Sequence, residues 1–231
     1  MDMRQYLPLL IIGVVVFALF AGLSLKQNNE QKEISLRTAI EEPEIIREEV
    51  PEGLARATFA TGCFWCMEAV FQETPGVSNA IAGYAGGAEH NPTYEDTYLN
   101  KTTHKEAVMV YYDPDVVTYA ELIDLFWQNI DPTDPNGQFV DQGPSYVAAV
   151  FYEDSDQQAL AEKTKQELAD SGRFDKPIVT EILPYTTFYQ AEDYHQDFYL
   201  KSPGRYQSYS GASGRKEFKD LIWQEIQKEQ S

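Results

Sequence analysis

The chain is 231 residues long, with 18 Lys and Arg against 37 Asp and Glu, a formal net charge of −19. So acidic a chain repels phosphate backbones, which disfavours general nucleic-acid binding. Two Cys and three widely spaced His make neither a disulfide framework nor a structural zinc cluster, and 13% aromatic residues exclude disorder throughout.

Residues 1–6 form a short head, and Leu7 to Leu25 follow without a charge. A helix of that length rises about 28 Å, close to the hydrocarbon thickness of a bilayer. The stretch 7–25 therefore reads as a transmembrane signal anchor. A cleaved signal peptide is the alternative. Gly22-Leu23-Ser24 offers a small-x-small site, but no Ala-x-Ala follows and the apolar run is long. Lys26, Lys32 and Arg37 outnumber Arg4, which favours a cytoplasmic domain, whereas a short basic head before a long apolar run favours export. The expectation is a single-pass membrane protein with an extracytoplasmic domain. Residues 26–55 are polar and Glu-rich, with Pro43 and Pro51, and read as an acidic linker. The domain proper is 56–231.

Ala55 to Ala60 is a short strand ending in Thr61-Gly62, and Cys63 to Glu73 has helical spacing up to Pro75-Gly76. Val77 to Tyr84 is a second strand, closed by Gly86-Gly87; this β-turn-α-β order implies a parallel or mixed sheet. Glu106 to Tyr112 is a strong strand. Tyr119 to Asn129 is an amphipathic helix with Thr118 as N-cap and Glu121 at the third helical position. Ser145 to Tyr152 reads as a strand. Ser155 to Ser171 reads as a helix capped by Ser155 and closed by Gly172, and Ile178 to Leu183 as a strand. Glu192 to Leu200 and Arg215 to Gln227 look helical. Strands and helices mix without strict alternation, which favours an α+β sheet with packed helices.

Gly62-Cys63-Phe64-Trp65-Cys66 holds both cysteines of the chain. Cys63 sits where a glycine turn opens a helix, and the free N–H groups there favour a thiolate, so its pKa is expected to fall. Cys66 lies one helical turn on, within reach of a disulfide. The plain alternative is two buried, small apolar residues. A Cys-x-x-Cys at a helix start also suggests a thioredoxin-like oxidoreductase. The bulky Phe-Trp pair between these two suits a small apolar group better than a protein disulfide.

The segment ATFATGCFWCMEAVF, Ala57 to Phe71, resembles the active-site segment of the A-class peptide-methionine sulfoxide reductases. GYAGG at 83–87, NPTYEDTY at 91–98, THKEAVMVYYDP at 103–114, FW at 126–127, DPT at 131–133, DQGPSYVAAVFY at 141–152 and AEDYHQDFYLK at 191–201 continue it in order. The resemblance spans about residues 56–209. It implies an α+β, ferredoxin-like two-layer sandwich with a mixed sheet. It also implies that Cys63 attacks the sulfur of methionine S-sulfoxide and becomes a sulfenic acid. Glu106 matches the family's acid, which burial keeps protonated to donate to the sulfoxide oxygen. Tyr94 and Tyr146 match the two tyrosines that hold that oxygen. Asp141 matches an acidic residue of the same pocket, and Phe64 and Trp65 enclose the S-methyl group.

Many relatives have Gly at the Cys66 position and resolving cysteines in a C-terminal tail, which here contains none. Cys66 is therefore expected to close a disulfide with Cys63; an external thiol is the alternative. The stretch 142–148 lacks the family's usual Arg. Lys105 stands beside Glu106 where a small residue is usual, but neighbours on a strand face opposite ways. His195 invites a Cys-His dyad, although the family uses its segment to shape the fold; His90 and His104 read as surface or loop residues. No metal or nucleotide motif is present. The expected enzyme binds no cofactor, takes oxidised proteins or peptides as substrate, and draws electrons from a thioredoxin-type dithiol or, outside the cytoplasm, a membrane thiol carrier. The competing readings are a general thiol–disulfide oxidoreductase using Cys63 and Cys66, and a non-catalytic module that binds oxidised Met.

Overall fold

The computed structural model describes residues 50–223, together with Lys26 and the strand pair Ile45–Ile46. A seven-stranded sheet runs through it. Its strands are β1 (Ile45–Ile46), β2 (Ala55–Ala60), β3 (Val77–Ala85), β4 (Lys105–Tyr112), β7 (Ala149–Tyr152), β8 (Glu181–Pro184) and β9 (Phe188–Gln190). The spatial order is β1-β9-β3-β4-β2-β7-β8, and a separate two-stranded ribbon pairs β5 (Gly137–Gln138) with β6 (Asp141–Gln142). Every pair in the large sheet is antiparallel except β7 with β8, so the sheet is mixed, as expected for an α+β chain. The central strands β2 and β4 are buried on both faces, which is why they read as near-continuous apolar runs rather than alternating ones.

Helices α1 (Phe64–Gln72) and α3 (Tyr119–Gln128) complete a β-α-β-β-α-β unit in the order β2, α1, β3, β4, α3, β7. They pack, with α4 (Ser155–Asp170), on one face of the sheet around Phe59, Phe71, Val110, Leu122 and Phe126. The opposite face buries Ala60, Met109, Phe151 and Phe188 under Val50, Leu54 and Leu183. The chain thus joins the sheet before β2, at Ile45–Ile46 on its edge and at Val50 and Leu54.

Several elements differ from the expectation for local reasons. The strand expected at 145–152 starts at 149, because Pro144 opens a 3-10 turn over Pro144–Tyr146. The strand expected at 178–183 begins at 181, because Val179 N–H donates to the Pro132 carbonyl at 2.8 Å instead of to a ladder. Asp154, not Ser155, caps α4; its carboxylate accepts from the N–H groups of residues 156 and 157. The helix expected at 192–200 shrinks to α5 (Phe198–Lys201), because Asp197 adopts a left-handed φ of 52° that no α-helix accommodates. The capping box of Thr118 and Glu121 forms as expected. Helices α2 (Tyr94–Tyr98) and α6 (Pro203–Ala212) were not anticipated; α7 (Arg215–Trp223) follows α6. Helix α6 buries none of its residues, so it carries no apolar stripe for sequence periodicity to detect.

The expected anchor, 7–25, lies outside the described residues. Among those described, no helix is long and apolar enough to cross a membrane.

Candidate active site

The chain turns from β2 into α1 at Thr61-Gly62. Gly62 has φ +76°, and a Cβ there would fall 2.5 Å from the Gln138 Cβ, so the turn admits only glycine without displacement. Gln138 is fully buried and braced, its amide holding Asp131 N–H at 2.7 Å and the Asp131 carbonyl at 2.9 Å. This fixes Cys63 as the N-cap of α1, with Cys66 in the first turn.

Glu106 enters from the start of β4 and is 2% exposed. Its carboxyl accepts the Phe64 N–H at 3.1 Å. Burial pushes its pKa up to about 8, with Asp141 and Cys66 adding to the rise, and the Phe64 bond offsets only part of this. Glu106 is therefore a neutral acid near pH 7. Tyr94 comes from the start of α2, Asp141 from β6 and Tyr146 from the 3-10 turn. Burial pushes both tyrosines above the usual phenol range, Tyr94 to about 12, so both keep their O–H donors.

These side chains wall one cavity of about 70 Å³, lined by Cys63, Phe64, Trp65, Tyr94, Glu106, Asp141, Tyr146 and Tyr209. Seven of those eight stand among the residues expected from sequence. The eighth, Tyr209 of α6, was missed, because nothing local distinguishes it from the chain's 15 tyrosines. Its hydroxyl donates to the Asp141 carboxylate and also meets the Cys63 sulfur, where it favours the thiolate. Asp141 is held above the usual carboxylate range by burial, against that bond and the Arg215 charge.

The thiol pair corrects one expectation. Burial pushes the Cys63 thiol up rather than down, and its bond to Cys66 and the Glu106 charge push the same way. The lowered thiol is Cys66, held at about 7, first by the hydrogen bond with Cys63 and then by Arg215, against burial. Cys66 does not reach the substrate-sized cavity; it lines a second one with Arg215.

His195 is no dyad partner. It is 1% exposed, its Nδ1 accepts the Trp65 indole N–H at 3.0 Å, and burial lowers its pKa to about 4. It stays neutral and sets the plane of Trp65, which stacks on Phe198 at 4.0 Å between centroids. His104 is buried rather than a surface residue; Nδ1 accepts Gly87 N–H at 3.2 Å and Nε2 faces the Glu89 carbonyl at 2.9 Å. Lys105 turns away from the site to pair with Glu181 at 3.2 Å, as strand alternation requires.

A family model described as peptide methionine sulfoxide reductase matches residues 55–227, most of the chain and all of this site. The chain belongs to that family. Two curated relatives, both named peptide methionine sulfoxide reductase MsrA, come from Bacillus subtilis and Listeria monocytogenes. The first is 53% identical over 167 residues, covering 72% of this chain and 94% of its own length. The second is 51% identical over 172 residues, covering 74% and 97%. The reduced form of Mxr1 from Saccharomyces cerevisiae superposes with a TM-score of 0.63 at 31% identity, covering 69% of this chain and 91% of Mxr1. Methionine sulfoxide reductase A of Corynebacterium diphtheriae gives 0.60 at 36% identity, covering 66% and 76%.

The family relatives also correct the expected localisation. They are matched almost end to end by the domain of this chain, so they carry little beyond it. These relatives therefore contradict single-pass membrane placement with an extracytoplasmic domain.

Proposed function

We propose that the chain reduces methionine S-sulfoxide in oxidised proteins, with its β-α-β-β-α-β unit serving as a ferredoxin-like core. The observation that carries this reading is the 70 Å³ cavity in which a thiol, a neutral carboxylic acid and three phenols face one another beside an indole. That set suits a sulfoxide: Phe64 and Trp65 for the methyl group, Tyr94 and Tyr146 for the oxygen, Glu106 for the proton, Cys63 for the sulfur.

As Cys63 attacks the sulfoxide sulfur, the Cys66 thiolate to which it is hydrogen-bonded takes its proton as general base. Glu106 protonates the oxygen as the S–O bond weakens. The hydroxyl passes to Cys63, methionine leaves, and Cys63 is a sulfenic acid. Cys66 then attacks that sulfur. The Cys63–Cys66 disulfide forms and water departs. Two thiols of a thioredoxin-type donor reopen the disulfide by exchange, and no bound organic cofactor takes part.

The test is single turnover without reductant. Reduced protein is incubated with a peptide carrying one methionine sulfoxide of defined sulfur configuration, and mass spectrometry follows both partners. The S-epimer peptide is expected to lose one oxygen while the protein loses two hydrogens. Cys63→Ser is expected to abolish this, and Cys66→Ser to leave one stoichiometric reduction but slow recycling. An untouched peptide, in a sample that does reduce protein disulfides, refutes the reading.

A further inference from the structure

Helix α7 sends Arg215 inward rather than to solvent; the residue is 7% exposed. Its guanidinium donates through one terminal nitrogen to the Asn129 carbonyl and through the other to the Thr61 carbonyl at 3.1 Å. It also lies 4.8 Å from the Phe139 ring centroid. Its Nε is buried with no hydrogen-bond partner, and among the described residues Arg215 makes no ion pair. Its charge also acts on the Asp141 carboxyl and on Cys66, favouring the ionised form of each; a buried cation needs such anions near it.

Arg215 and Cys66 share the wall of a cavity of about 290 Å³ behind the first one. The Thr61 bond sets the guanidinium under the turn that leads into Cys63. We propose that Arg215 is the positioning residue that holds Cys66 as a thiolate for attack on the oxidised Cys63. This rests on the reading that Cys66 resolves the sulfenic acid.

The other groups around Cys66 cannot take that role. Cys63 favours the Cys66 thiolate in the reduced pair by donating its S–H, but that donor is gone once Cys63 is oxidised; Asp141 disfavours the thiolate, and Glu106 and Tyr206 are themselves acids. Lys216 and Lys219 line the outer part of the cavity, but Lys216 pairs with Asp220 and Lys219 reaches Asn129 Oδ1 at 3.5 Å. A thiol held near ambient pH is also the fastest attacker in thiol exchange, since it is both deprotonated and still nucleophilic. The Arg215 charge stabilises Cys66 as the leaving thiolate when a donor reopens the disulfide at Cys63.

The experiment uses the full chain carrying Cys63→Ser, so that Cys66 is the one thiol left. Its alkylation by iodoacetamide is followed against pH by mass spectrometry. With Arg215 in place the midpoint is expected below the ordinary thiol range of about 8.5, although less far than in the reduced pair, since the Cys63 S–H that donates to Cys66 is gone. Arg215→Met is expected to move it up by about one unit, roughly tenfold slower alkylation at pH 7, and Arg215→Lys to restore most of the shift. Lys219→Met is expected to leave the profile unchanged. With Cys63 present, Arg215→Met is expected to slow disulfide closure about tenfold relative to sulfenic acid formation. The same midpoint in the Cys63→Ser and Cys63→Ser/Arg215→Met chains overturns the proposal. Disulfide closure at the unaltered rate in Arg215→Met overturns the role of Arg215 and leaves Cys66 as the resolving residue. A shifted midpoint with no Cys63–Cys66 disulfide in the full chain overturns the resolving reading and the proposal together.

Discussion

Glu106→Gln separates what the carboxyl does for chemistry from what it costs the fold. The unfolded chain ionises this group near pH 4.3, whereas burial holds it at about 8 in the folded protein. The folded state therefore binds a proton over that interval that the unfolded state has lost. Stability associated with the group is fully present below about pH 4.3 and is lost as pH rises toward 8, at about 1.4 kcal/mol per unit. At pH 7 the cost is of order 4 kcal/mol. Gln keeps an oxygen for the Phe64 N–H, removes the titration and cannot supply a proton. The variant is expected to be more stable than the parent, by a margin that widens from pH 5 to 8. Denaturant titrations at each pH, taken as the difference between the two proteins, cancel the other titrating groups. The same variant is expected to lose about 10²- to 10⁴-fold in single-turnover sulfoxide reduction, the range for a positioned general acid. A stability difference that is flat with pH refutes the raised pKa. A turnover rate within threefold of the parent refutes the acid role.

Three other substitutions probe the scaffold. Tyr209→Phe removes a donor to both Asp141 and the Cys63 sulfur; hydrogen bonds to charged groups are worth about 1.5–3 kcal/mol, so stopped-flow turnover is expected to slow roughly 10- to 100-fold and its rise with pH to move upward. An unchanged rate removes Tyr209 from the site. Gly62→Ala forces a Cβ into Gln138 at a positive φ and is expected to destabilise the fold by about 2 kcal/mol or more, read from the urea midpoint. His195→Ala takes away the acceptor for the Trp65 indole and is expected to raise KM about tenfold with the shape of the pH–rate profile unchanged, while His195→Gln recovers the loss. A lost limb between pH 6 and 7 would instead make His195 a proton carrier, against its burial as a neutral ring.

The elements with strong local signals were legible from sequence. The strand 55–60, the helix that follows the Gly62 turn and the capped helix 119–128 stand within a residue or so of expectation. Their signals are short-range: a run of apolar residues, a glycine at positive φ, a Thr-x-x-Glu box. The site residues Cys63, Phe64, Trp65, Tyr94, Glu106, Asp141 and Tyr146 were legible because their motifs resemble a family's. Nothing in the spacing of residues 63, 94, 106, 141 and 146 announces that they meet. The elements that failed were those whose conformation depends on a distant partner. Residues 179 and 180 bond to the Pro132 carbonyl, residue 197 turns left-handed while its N–H donates to the buried Glu68 at 2.8 Å, and α6 has no apolar face of its own.

The sequence by itself determined the α+β class, the glycine-to-cysteine turn and the chemical types available to the site, because each is encoded within a few consecutive residues. Only the tertiary structure decided which charges those groups carry. Burial makes Glu106 an acid and His195 a neutral brace, and it raises Cys63. The hydrogen bond with Cys63, and after it the charge of Arg215, 149 positions along the chain, lower the thiol of Cys66. Ionisation in a protein interior depends on solvent exclusion and on charges brought from other elements, and neither quantity is a property of local sequence.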